Sequence, residues 1–139
     1  MMKIAAVAAS IAVAACLALA PAADAKPKLT GEAKLAKMLE GRVAGKPVSC
    51  IPLNQTNNTT VIDKTAIVYQ VGRTLYVNRP TNADQLDDDD ILVTKTSLSQ
   101  LCNVDTIQLR DRSVPYMWRG FVGLRDFVPY RKESTASAR

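Results

Sequence analysis

The sequence predicts a mainly β fold: one N-terminal helix followed by about six or seven short antiparallel strands, forming a small barrel or sandwich with one disulfide. Three observations predict it. Residues 65–71 and 74–78 are β-branched and aromatic runs on either side of the dipeptide Gly72-Arg73. Residues 105–110 alternate between apolar and polar side chains. Two cysteines, Cys50 and Cys102, remain once an N-terminal leader is set aside.

The leader is residues 1–25, read as a signal peptide. Lys3 supplies the positive start, Ile4 to Ala20 an uncharged apolar run, and Ala23-Asp24-Ala25 the small-x-small cleavage pattern. The run is at the short end of what crosses a bilayer and ends in a cleavage site, so no transmembrane anchor is expected in the mature chain. A competing lipobox ends at Cys16, but Leu17 to Ala23 stays apolar where a lipidated tether is usually polar. The expected location is therefore periplasmic or secreted.

Export sets the chemistry of the cysteines. In an oxidising compartment Cys50 and Cys102 most simply form one disulfide, closing a loop of about 50 residues. Removing the leader takes away Lys3 and Asp24 together, so the formal net charge stays at +5. There is no histidine. Ser-His-Asp triads, Cys-His dyads and His-ligated zinc are thereby excluded. No cofactor is expected.

The elements follow in order. Residues 26–47 form a leader and helix: Thr30 is an N-cap for a helix over 31–42, with Leu35, Met38 and Leu39 on its core face. Residues 48–132 form the β-rich domain. Residues 48–51 and 59–62 read as strands separated by a polar loop. Gly at the first turn position of Gly72-Arg73 fits a type II′ hairpin that pairs Gln70 with Leu75, Tyr69 with Tyr76 and Val68 with Val77. Val68, Leu75 and Val77 share the core face, and the Tyr69–Tyr76 pair is read as cross-strand packing. Residues 79–90 form a long polar loop, 91–96 a strand, and 97–103 a turn carrying Cys102. In 105–110, Ile107 and Leu109 point inward and Thr106, Gln108 and Arg110 outward. Residues 121–130 supply the last strand, and 133–139 a disordered tail.

Two clusters are candidate sites. Asp87, Asp88, Asp89 and Asp90 are weak calcium candidates: hard cations take carboxylate oxygens, but consecutive aspartates cannot all face one ion, and a solvated loop is the expected role. The segment 110–132 interleaves arginines with aromatics, and Trp118, Arg119, Tyr116 and Arg112 form the candidate binding face, with Trp118 on a loop after Pro115. The sequons at Asn54, Asn57 and Asn58 are read as loop chemistry.

Cys50-Ile51, the run 61–67 (VIDKTAI), Gln100-Leu101-Cys102 with Asp105-Thr106-Ile107, and Gly123-Leu124 with Phe127, Pro129 and Tyr130 together resemble a group of small exported proteobacterial proteins defined only as a domain of unknown function. The resemblance covers residues 48–132. Members often carry an additional cysteine pair, which this chain lacks. The resemblance implies export and the disulfide, and it brings no catalytic residue.

The functional expectation is a non-enzymatic binding or accessory module of the cell envelope, whose partner is an envelope protein or an anionic polymer. The alternative is a small secreted hydrolase working through carboxylates, with Asp63, Asp105 and Asp87 to Asp90 as its candidates.

Overall fold

A computed structural model of the chain describes residues 27–114 and 116–134. The leader with Cys16 and the last five residues of the tail lie outside these. No helix among the described residues is long and apolar enough to cross a membrane.

The helix α1 (Gly31–Met38) starts where its cap predicts, the Thr30 hydroxyl accepting the Ala33 N–H at 3.3 Å. It ends earlier than its periodicity suggests. Gly41 has φ +69°, and Arg42 already belongs to strand β1 (Arg42–Ala44). The segment 26–47 therefore contributes an edge strand to the domain as well as its helix.

Nine further strands follow among the described residues: β2 (Cys50–Pro52), β3 (Thr56–Ile62), β4 (Ala66–Val71), β5 (Thr74–Asn78), β6 (Ile91–Thr94), β7 (Gln100–Cys102), β8 (Thr106–Arg110), β9 (Trp118–Gly123) and β10 (Phe127–Lys132). They form three antiparallel sheets, in the orders β1-β10-β5-β4-β3, β6-β8-β9 and β2-β7. The sheets are not closed into a barrel; β3 and β6 remain edges.

The central hairpin has the predicted register: Gln70 opposite Leu75, Tyr69 opposite Tyr76, Val68 opposite Val77. Gly72 takes φ +58° while Arg73 stays out of the positive region, the combination a type II′ turn needs. Both faces of β4 are buried. Ala66, Val68, Leu75 and Val77 pack with Ile62 under Leu35, flanked by Met38 and Leu39 of the helix segment. Ile67, Tyr69 and Phe127 face the other way, against Ile107, Leu109 and Val122 of the three-stranded sheet and Leu86, Leu101 and Ile51 from around it. Burial on both sides is why β4 reads as one continuous apolar run. Tyr69 is core, its ring meeting Phe127 edge-on at 5.8 Å.

Besides the edge strand β1, the strand count exceeds expectation for two physical reasons. The predicted turn 97–103 contains β7, only three residues long, with Leu101 its single buried side chain. The predicted last strand 121–130 is two strands in different sheets. Buried Asn78 makes the corner between them: its amide nitrogen donates to the Arg125 carbonyl and its oxygen accepts the Arg125 N–H. Cys50 and Cys102 lie directly opposite each other on β2 and β7 and are joined as a disulfide.

Candidate functional site

The outer face of the β6-β8-β9 sheet is built by a bulge. Leu109 pairs with Gly120, but Arg110 pairs with Trp118, so Arg119 is an extra residue in β9. Gly120 accommodates the irregularity at φ +152°. In a regular strand, residues 118 and 121 would point to opposite faces. The inserted residue brings both side chains to the same side.

The result is an exposed aromatic pair. Trp118 is 62% and Phe121 53% exposed, and their rings stack at 6.4 Å with an 18° interplanar angle. With Lys95, Thr106 and Gln108 they line a shallow depression of about 320 Å³. Trp118 thus opens a strand and is not on a loop. The loop before it is ordered by Asp111, whose carboxylate accepts the N–H groups of Ser113 at 2.7 Å and Val114 at 3.0 Å. The Val114 and Ser113 bonds hold the Asp111 carboxyl below the usual carboxylate range. This loop exposes Tyr116 and Met117.

The other two predicted binding residues go elsewhere. The Arg119 guanidinium lies 2.6 Å from Asp90 Oδ1 and 3.6 Å from Asp87 Oδ2, and the Asp90 side chain is fully buried. Arg112 faces Asp89 at 3.7 Å and donates to its carbonyl at 3.2 Å. The predicted acidic cluster and the predicted basic segment are therefore each other's partners. Asp88 takes a third cation, Lys34 of α1, at 3.0 Å, and the Lys34 hydrogen bond holds the Asp88 carboxyl below its ordinary value. The four aspartates engage three cations, Asp87 and Asp90 sharing Arg119. No group of three or more metal-ligating side chains converges among the described residues. Two of the carboxylates instead organise their own turn: Asp90 accepts the Asp87 N–H at 2.9 Å, and Asp87 accepts the Asp89 N–H at 3.0 Å.

The hydrolase candidates sit in different turns, the one at Asp63 meeting the acidic loop through the Lys64 N–H, which donates to the Leu86 carbonyl at 3.0 Å. Asp63 sits in the turn between β3 and β4. Asp105 sits after β7, where its carboxylate accepts the Cys102 N–H at 2.7 Å. Asp88 and Asp90 both line a cleft of about 480 Å³ between the edge strands β3 and β6. A general acid in such a cleft needs a raised pKa, whereas Asp88 is pushed down by Lys34. Tyr69, deep in the same cleft, has a buried hydroxyl without a hydrogen-bond partner among the described residues, and burial pushes its pKa up.

Sequence reasoning placed Trp118 and Phe121 in one basic, aromatic segment and pointed Thr106 and Gln108 outward, but it did not find Lys95 or join these residues into one face. The bulge that joins them has only Gly120 as a local sign. No protein-family model matches this chain, and no curated protein or solved structure does so either.

Proposed function

We propose that the chain is an exported, non-enzymatic binding module whose recognition face is the outer side of the β6-β8-β9 sheet, and that its partner is a protein of the cell envelope. The observation that carries this reading is the exposed Trp118–Phe121 stack. Large aromatic side chains on a rigid strand lose little conformational freedom on binding and serve as anchors in protein interfaces. Arg112 and Arg119, which would have favoured an anionic polymer here, are paired with aspartates. What this face offers is an aromatic plane bordered by Lys95, Thr106 and Gln108. The leader read in residues 1–25, the Cys50–Cys102 disulfide and the resemblance to exported proteins support the compartment.

The test compares the wild type with a Trp118→Ala, Phe121→Ala variant. Both are used to capture partners from the native envelope, and binding of the captured protein is then measured after purification. Truncating two interface anchors is expected to weaken binding by about 30-fold or more, corresponding to roughly 2 kcal/mol. Because both side chains are exposed, the melting temperature should barely move. Equal retention by both proteins, or specific retention by neither, would overturn the reading.

A further inference from the structure

A second surface lies at the other side of the molecule. The β4–β5 turn, the start of β1 and the end of β10 surround a concavity of about 740 Å³. Its rim carries Arg42, Arg73, Arg131 and Lys132, with Gln70 as a neutral donor and Glu133 as the one acidic group. None of these charged groups takes part in an ion pair among the described residues, whose pairs are Lys34–Asp88, Arg79–Glu32, Arg112–Asp89, Arg119–Asp87 and Arg119–Asp90.

The register makes this clustering costly. Arg42 and Lys132 are direct cross-strand partners on β1 and β10. Like charges directly opposite one another destabilise a strand pair. The fold nevertheless fixes Arg42 in place: its guanidinium donates to the carbonyls of Arg73 at 2.9 Å and Tyr130 at 3.4 Å. Those bonds anchor one cation at the mouth of the concavity and leave its charge uncompensated. Arg73 and Lys132 flank it from the turn and the strand end.

From this arrangement we infer that the concavity binds a phosphate-rich anion, either a soluble polyphosphorylated molecule or the phosphate headgroup of a membrane lipid. Several cations converging on one hollow match an anion carrying more than one negative charge. Guanidinium forks match the tetrahedral oxygens of phosphate in a way that an ammonium alone does not. The volume is in the range of small-ligand sites. This site is separate from the aromatic face and does not depend on it.

The experiment titrates the natively produced protein with inorganic pyrophosphate by calorimetry, at roughly physiological ionic strength. In parallel, the protein is sedimented with phosphatidylglycerol-containing vesicles and with phosphatidylcholine vesicles. Two charge-matched variants accompany it. Arg73→Gln, Lys132→Gln alters the rim but spares Arg42. Lys64→Gln, Arg125→Gln removes two exposed cations at the opposite end of the strands. Pyrophosphate binding that falls about tenfold or more in the first variant and holds in the second identifies a soluble ligand. The same dependence seen only with anionic vesicles identifies the lipid. Absence of binding in both arms, or equal weakening by both variants, would overturn the inference, since equal weakening means diffuse attraction by net charge.

Discussion

Arg119 separates a structural from a recognition role, and its replacement by alanine gives a sharp expectation. The Asp90 side chain is completely buried and has two described partners, Arg119 at 2.6 Å and the Asp87 N–H at 2.9 Å. Removing the guanidinium leaves a buried carboxylate with one hydrogen bond. Stripping a partner from a fully buried pair costs about 3–5 kcal/mol. Arg119 is 35% solvent-exposed, so water takes over part of its role, and about 2–3 kcal/mol is the reasonable value. For a domain of this size that lowers the melting temperature by roughly 10 °C. Arg112→Ala is the internal control. Its partner Asp89 is 85% exposed at 3.7 Å, and the loss should stay below about 0.5 kcal/mol. Thermal and urea melts of both variants, with an Arg119→Ala, Asp90→Ala cycle to extract the coupling, decide the matter. Equal stability of the two arginine variants, or a coupling near zero, refutes the structural role. If Arg119→Ala instead leaves stability intact and weakens partner capture, Arg119 belongs to the recognition face after all.

Replacing both Cys50 and Cys102 by serine should cost about 4 kcal/mol, from the 52-residue separation the disulfide closes; a urea midpoint insensitive to reductant would contradict this. Tyr69→Phe removes a buried hydroxyl that has no partner among the described residues, and should leave stability unchanged or raise it by about 1 kcal/mol in the same melts. Tyr69 also sets an alkaline limit. Burial raises its folded-state pKa above the unfolded value of about 10, so its contribution is full below that pH and is lost as the pH climbs towards the folded value. An alkaline unfolding curve identical in wild type and Tyr69→Phe would remove that assignment.

The parts of the fold that the sequence displays are those set by near neighbours. The hairpin 66–78 is fixed by Gly72 and by alternation on either side of it, and its register is the one observed. The Ile107–Leu109 alternation in β8 and the Thr30 cap are local in the same sense. What escaped depends on distant partners. The break between β9 and β10 is held by Asn78, 47 residues before Arg125, and nothing within 121–130 announces it. Strand β7 owes its existence to pairing with β2 across the disulfide, since three residues with one buried side chain carry no periodic signal. Helix α1 stops at Met38 because Arg42 is claimed by β10, a choice made by tertiary pairing and not by helix propensity.

The candidate site was half legible for the same reason, and its other half changes how the charge should be understood. The acidic run and the basic aromatic segment look like two opposed surfaces in the sequence. Folding brings them together, so that the Asp87 to Asp90 turn engages Lys34, Arg112 and Arg119. With those cations engaged, the β9 bulge presents Trp118 and Phe121 side by side, with the bulged residue Arg119 committed to the aspartates. A cluster of cations without ion pairs among the described residues lies on the helix side of the other sheet, where Arg42 stands opposite Lys132 beside the turn at Arg73. The two surfaces lie on opposite sides of the packed sheets and differ in their physics. Burial of an aromatic pair is a hydrophobic interaction that added salt does not screen, whereas attraction to the cationic rim weakens within a Debye length that shrinks as salt rises. A partner that occupied the aromatic face alone would therefore leave the rim free, and a phosphate-bearing membrane held at the rim would turn the aromatic face outward.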